Sequence, residues 1–149
     1  MYNFFLILHS WNRWLVLIFA IIAIYRAVSG WQGDKNFSKQ DSMVGGIFIG
    51  VLHLQVLIGL ILYFILSPIT QAAFEDFGAA MRNAEMRFWA VEHSTGMIIA
   101  AVIAQIGRIL SKKAPSGRLK HKRAFIYYTI AFVLILITMP YLIRPFFRI

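Results

Sequence analysis

Two imidazoles occupy matching positions in the two halves of this chain. His9 follows Phe4 by five residues, and His93 follows Phe88 by five. At a rise of about 1.5 Å per residue, each ring lies about 7–8 Å inside a helix that starts at its phenylalanine. A neutral imidazole nitrogen is a good metal donor. Two of them at equal depth on facing helices could hold one iron from opposite sides of a flat macrocycle. Haem b is then the cofactor, with His9 and His93 as its metal ligands. Arg13 falls one turn below His9 on the same face, where a guanidinium needs an anion. A haem propionate would serve, as would Glu92, and Arg87 is a second propionate partner. The same two histidines could instead hydrogen-bond between helices without a cofactor, or serve proton or quinone chemistry.

The chain has four histidines. His53 comes nine residues after Val44, which puts it about 13–14 Å from the inner face of a core about 30 Å thick. It shares a helical face with Gly46 and Gly50 and is expected to point inward. A His53–His93 pair is the second choice for the ligands, and a buried histidine donating to a carbonyl is the plainer reading. Gln55 reads as a polar group at a helix contact. His121 stands between Lys120 and Lys122 and is expected to be solvated. Cysteine is absent, which excludes disulfides, thiolate metal sites and thiol nucleophiles. No HExxH pattern, serine–histidine pair or phosphate-cradling glycine loop is present. Glu92 and His93 are adjacent, about 100° apart on a helix, and do not share a face.

Four apolar stretches, residues 4–31, 44–66, 86–110 and 124–146, must position these side chains. Each has the ~20 apolar residues that a bilayer-spanning helix needs. The composition agrees: 60% of the residues are hydrophobic and the mean hydropathy is +0.70. Little chain remains outside the spans, so no soluble catalytic domain is expected. The net charge of +9 is concentrated in two loops. Arg26, Lys35 and Lys39 mark the first, and Arg108, Lys112, Lys113, Arg118, Lys120, Lys122 and Arg123 crowd the third. Glu75, Asp76 and Glu85 make the second loop acidic. Basic loops face the cytoplasm, so both termini and the second loop are expected on the periplasmic side of a bacterial inner membrane. The positive charge then reflects topology and contact with anionic lipid, not nucleic acid. The N-terminus lacks a basic n-region and a small-residue cleavage site, so the first helix is expected to be retained.

Four spans with short connections predict an all-α fold: an integral membrane antiparallel four-helix bundle, one transmembrane domain over residues 1–149. The first and third helices then run the same way and lie diagonally across the core. Small residues below the two imidazoles leave room for a ring: Ala20, Ala23 and Ala27 on one side, Gly96, Ala100 and Ala104 on the other. Gly46 and Gly50 form a GxxxG spacing that favours close helix approach. Ser67-Pro68 is a good cap and first helical residue. Phe74, Phe77 and Met81 behind it share a face, which predicts a short interfacial helix between the second and third spans.

Several motifs together resemble a known family. Leu8-His9-Ser10 with Arg13-Trp14-Leu15 opens the first span. Leu54-Gln55 precedes Gly59-Leu60-Ile61-Leu62-Tyr63-Phe64. Phe77-Gly78-Ala79-Ala80-Met81, Arg87-Phe88-Trp89-Ala90, Val91-Glu92-His93, Gly107-Arg108 and Lys120-His121-Lys122 follow. Over nearly its whole length the chain resembles the small four-span membrane proteins of Bacteroidota labelled cytochrome b-like. The resemblance implies haem binding and electron transfer, with His9 and His93 as the matching histidines. Relatives often carry an acidic residue where His53 stands and a histidine where Gln105 stands, so a second ligand pair is not expected here.

Residues and resemblance together predict one b-type haem near the outer face. Its role would be one-electron exchange with quinol or with a larger respiratory or other redox complex in the same membrane. That is an electron carrier and not an enzyme in its own right. The alternatives are a cofactor-free accessory or assembly subunit, and a small transporter with His9, Arg13, Glu92 and His93 lining a polar path.

Overall fold

The structure is a computed structural model that describes residues 1–140 of the 149. The elements are α1 (Tyr2–Gln32), α2 (Lys39–Ile61), α3 (Pro68–Glu75), α4 (Phe77–Arg82), α5 (Ala84–Arg87), α6 (His93–Lys112) and α7 (Gly117–Ile137). No strand occurs among the described residues. A π-helical turn, Leu62–Leu66, extends α2, and another, Phe88–Glu92, joins α5 to α6. Among the described residues, three continuous helical segments are long and apolar enough to cross a membrane: Tyr2–Gln32, Lys39–Leu66 and Ala84–Lys112.

The fourth expected span differs from its prediction. The helix starts at Gly117 and not at 124, because Ser116 caps it by accepting the Leu119 N–H at 3.2 Å. The basic run 118–123 is therefore helical. The end of the expected span, with Arg144 and Arg148, lies outside the described residues.

Each long helix packs on two others: α1 on α2 and α7, and α6 on α7 and α2. That leaves α1 and α6 diagonal. The interior is built from small side chains, with Ala20, Ala23 and Ala27 of α1, Ala100 and Ala104 of α6, and Ala124 and Ala131 of α7 all buried. Their spacing of three and four residues keeps them on one face of each helix. Bulky residues lie outside: Ile18 and Ile22 on α1, Ile99, Val102 and Ile106 on α6, Ile130 and Val133 on α7. Small-inside, bulky-outside inverts the ordinary soluble pattern and is compatible with a lipid surround.

Among the described residues, the two glycines of the GxxxG spacing do not bring two helix backbones together. A Cβ at Gly50 would meet nothing within 4 Å, while one at Gly46 would meet the Arg108 guanidinium at 3.0 Å. A Cβ at Gly45 would likewise meet the hydroxyl of the buried Tyr128, at 2.8 Å. These positions make room for long polar side chains, with Arg108 donating to the Ser42 carbonyl at 2.8 Å.

The basic end is closed by a compact polar cluster. Ser38 and Asp41 form a reciprocal capping box at the start of α2, and Asp41 pairs with Arg26 of α1 at 2.8 Å. His121 corrects a prediction here, since it is buried at 1% exposure. Its ring lies against Gly30, where a Cβ would collide with it, and 5.0 Å from the Phe37 ring. Lys120 and Lys122 turn outward over Phe37 and Trp31. Flanking lysines thus belong to the surface while the histidine between them faces inward, as helical periodicity requires.

At the acidic end, the single expected amphipathic helix is two short ones. Asp76 interrupts it with an extended backbone (φ −141°, ψ 85°) and caps α4 by accepting the Ala79 N–H at 2.8 Å. Ser67 and Asn83 cap α3 and α5. The Tyr63 hydroxyl donates to the Ala90 carbonyl at 2.7 Å, and Thr70 donates to the Tyr63 carbonyl at 2.6 Å. These bonds tie the short helices to the ends of α2 and α6.

Candidate functional site

His93 is the first residue of α6, directly behind the π-helical turn. Its N–H bonds to the Phe88 carbonyl, five residues back. Such a turn accommodates one extra residue and re-aims the side chains on either side of it. The ring then reaches α7, where Nδ1 lies 2.9 Å from the Thr138 carbonyl. A carbonyl can only accept, so Nδ1 carries the proton and Nε2 is left as a lone-pair donor. Gly96 makes this approach possible, because a Cβ there would collide with the Thr138 side chain. Phe88 and Trp89 flank the ring at 5.8 and 5.4 Å.

His9 is held through its backbone. Gln55 of α2 donates to the His9 carbonyl at 2.9 Å, and Asn12 donates to Gln55 Oε1 at 2.8 Å and to the Val51 carbonyl at 3.0 Å. Asn12 and Gln55 are both buried, and the interlocked amides satisfy one another. The expectation that Gln55 serves a helix contact is met. Gly59 faces the His9 ring, and a Cβ there would stand 3.2 Å from Cε1. His9 Nδ1 is sealed from solvent and makes no well-aligned hydrogen bond among the described residues.

The two rings meet across the diagonal with centroids 6.3 Å apart and planes inclined at 73°. No hydrogen bond reaches either Nε2 among the described residues. Both histidines line a cavity of about 150 Å³, together with Arg13, Val16, Leu52, Gly59 and Met97. Two imidazoles ligating one metal from opposite sides, with bonds of about 2 Å and roughly 1.1 Å from nitrogen to ring centre, have centroids about 6.3 Å apart. The observed separation is compatible in length with that arrangement, and equally with two rings in edge-to-face contact. The donor set also decides what kind of metal group fits. No cluster of three or more histidine, aspartate or glutamate side chains suited to a metal ion exists among the described residues. Two imidazole nitrogens alone fall short of the ligand number that a bare metal ion takes from protein.

The other expected site residues fall elsewhere. His53 is exposed, on the outer face of α2, which corrects its expected inward direction. Phe48, Leu52, Gln55 and Ile58 define the buried face, and His53 stands one residue, hence about 100°, around from Leu52. Arg87 does not line the cavity. It pairs with Glu92 at 2.9 Å and donates to the Met81 carbonyl at 3.2 Å. Glu92 is thereby held outside the cavity as well, so the polar path required of a transporter loses its carboxylate. Arg13 stays at the cavity wall, its guanidinium 5.6 Å from the Trp14 ring. The sequence reading missed the Thr138 carbonyl and Gly59. A backbone acceptor leaves no sequence signal, but Gly59 four residues beyond Gln55 on its face could have been found.

Compared with known proteins, the chain matches no family model, no curated protein and no solved structure.

Proposed function

We propose that this chain is an integral membrane four-helix bundle that binds one b-type haem between His9 and His93 and exchanges single electrons. The observation that supports the reading is the 6.3 Å separation of two imidazoles whose Nε2 atoms make no hydrogen bond among the described residues. When bound, haem supplies reversible one-electron oxidation and reduction. His93, with its proton committed to Thr138, would bind through Nε2. The Asn12–Gln55 pair sets the height of His9 on α1. Arg13 would offset a propionate charge, a role for which Arg87, engaged with Glu92, is poorly placed. Val16, Leu52 and Met97 keep the surroundings apolar and exclude water. The resemblance to cytochrome b-like proteins of Bacteroidota points to the same chemistry.

The setting is a bacterial inner membrane. Lys112, Lys113, Arg118 and Lys120 gather at one end with Arg26 and Lys35, which marks that end as cytoplasmic. The haem site lies toward the opposite, periplasmic end, the side of the N-terminus. Phe74 and Phe77 are exposed on the short helices there and would rest in the membrane interface. A haem near one surface does not span the bilayer, so the partner is quinol or a redox complex in the same membrane.

The test is the visible spectrum of detergent-purified protein made with ample haem. A Soret band with a sharp α band on reduction is expected. His9→Ala and His93→Ala should each remove the low-spin spectrum, and His53→Ala and His121→Ala should leave it. Colourless protein under those conditions points to the cofactor-free accessory subunit, with the two rings packed edge to face.

A further inference from the structure

Among the described residues, His53 is the one acidic or basic side chain exposed in the middle of a span. It stands halfway along the Lys39–Leu66 segment, on its open face. No hydrogen bond or ion pair reaches its ring among the described residues. The open middles of α6 and α7 are apolar by contrast, with Ile99, Val102, Ile130 and Val133. An imidazole at that depth is costly in hydrocarbon without a partner. Its side chain is too short to reach the interface, as lysine and arginine do near helix ends. Around it, the exposed residues of α2 are Met43, Ile47, Gly50, Leu54 and Leu57. Their alternating steps of four and three residues are those of a seam between two parallel helices. Gly50 is a notch in that seam, since a Cβ there would meet nothing within 4 Å.

We infer that this face of α2 receives the same face of a second copy of the chain, with His53 bonded to His53 across the contact. The inference rests on the membrane setting proposed above and not on haem. Any partner must offer a hydrogen-bonding group at the depth of His53. A second copy does so of necessity, because the basic end sets one orientation for both copies and their imidazoles then lie at one height. A neutral imidazole has one donor and one acceptor nitrogen. The ring therefore complements itself, the N–H of one copy donating to the bare nitrogen of the other. Such a contact is isologous, about a two-fold axis along the membrane normal. Leu52 and Gln55 stay turned to the His9–His93 cavity on the buried face of α2, so each copy keeps its own site.

The chain has no cysteine of its own, so single thiols report the contact. Membranes from cells making full-length Leu54→Cys are oxidised with copper phenanthroline, beside Val102→Cys on the open face of α6. Leu54→Cys should form a covalent dimer and Val102→Cys should stay monomeric. Energy transfer between differently labelled copies, diluted with lipid in vesicles, then gives the affinity. His53→Leu keeps the face apolar and should weaken pairing about 3–20-fold, the range of one interhelical hydrogen bond in a membrane protein. His53→Asn retains a donor and an acceptor and should recover most of the loss. Gly50→Phe should block pairing by filling the notch. A monomer at every dilution overturns the inference, as does pairing that His53→Leu leaves unchanged. Crosslinking of Val102→Cys as fast as Leu54→Cys, or of Leu54→Cys only to a different polypeptide, overturns it too. Release of the protein from membranes by alkaline carbonate overturns the membrane setting, and this inference with it. The visible spectrum tests haem separately, so either reading can fail alone.

Discussion

Asn12 and Gln55 interlock across the α1–α2 contact, with the Asn12 amide donating to Gln55 Oε1 at 2.8 Å. Each amide spends its other bonds on a backbone carbonyl, Asn12 on Val51 and Gln55 on His9. Both side chains lie within an otherwise apolar interior. Their geometry fixes rotation and height of α1 against α2 together, because neither carbonyl can be reached if the helices slide by a residue. The pair is therefore a register lock placed one turn from His9.

Gln55→Leu should destabilise the protein by about 1–2 kcal/mol, the scale of an interhelical hydrogen bond in a membrane protein together with the buried Asn12 it would leave partly unpaired. Thermal unfolding in detergent would register the loss. Asn12→Leu combined with Gln55→Leu should cost less than the sum of the single changes, since the second removes an already orphaned partner. Strict additivity would show that the amides act independently.

Two glycine substitutions should separate cleanly. A Cβ at Gly30 would strike the His121 ring, so Gly30→Ala should cost about 1–3 kcal/mol through overpacking. A Cβ at Gly50 meets nothing, so Gly50→Ala should be neutral or gain about 0.5–1 kcal/mol from helix propensity. Comparing the two melting temperatures checks both, and an equal loss at Gly50 would mean that face is covered by another molecule.

The absence of cysteine makes orientation directly measurable. Glu85→Cys and Lys113→Cys place single thiols at opposite ends of the Ala84–Lys112 segment. In intact spheroplasts a membrane-impermeant maleimide should label the first and not the second. The reverse result would invert the topology and move the His9–His93 cavity to the cytoplasmic side.

Much of this was legible from composition and period. Small residues at three- and four-residue steps give the inner faces of α1, α6 and α7, and equal depth brings His9 and His93 together. Other features left no such trace. The π-helical turn before His93 adds a residue without a sequence mark, and the Thr138 carbonyl is invisible as a side chain. Gly46 and Gly50 suggest an inward face for His53, whereas Phe48, Leu52 and Gln55 carry the buried face. His121 was misread from its lysine neighbours, although Gly30 and Phe37 build it a niche from distant chain. Local charge describes the surface well, but a buried residue inside a basic run depends on partners far away in sequence.

The bond from His93 to Thr138 also dictates when the site can exist. His9 on α1 is synthesised 84 residues (93 − 9) ahead of its counterpart on α6. That counterpart has its acceptor only after the last turn of α7 has been made and docked. Completion of the facing imidazole pair is therefore a late event in biogenesis, and a nascent chain stalled before Thr138 would hold two imidazoles without the frame that aims them.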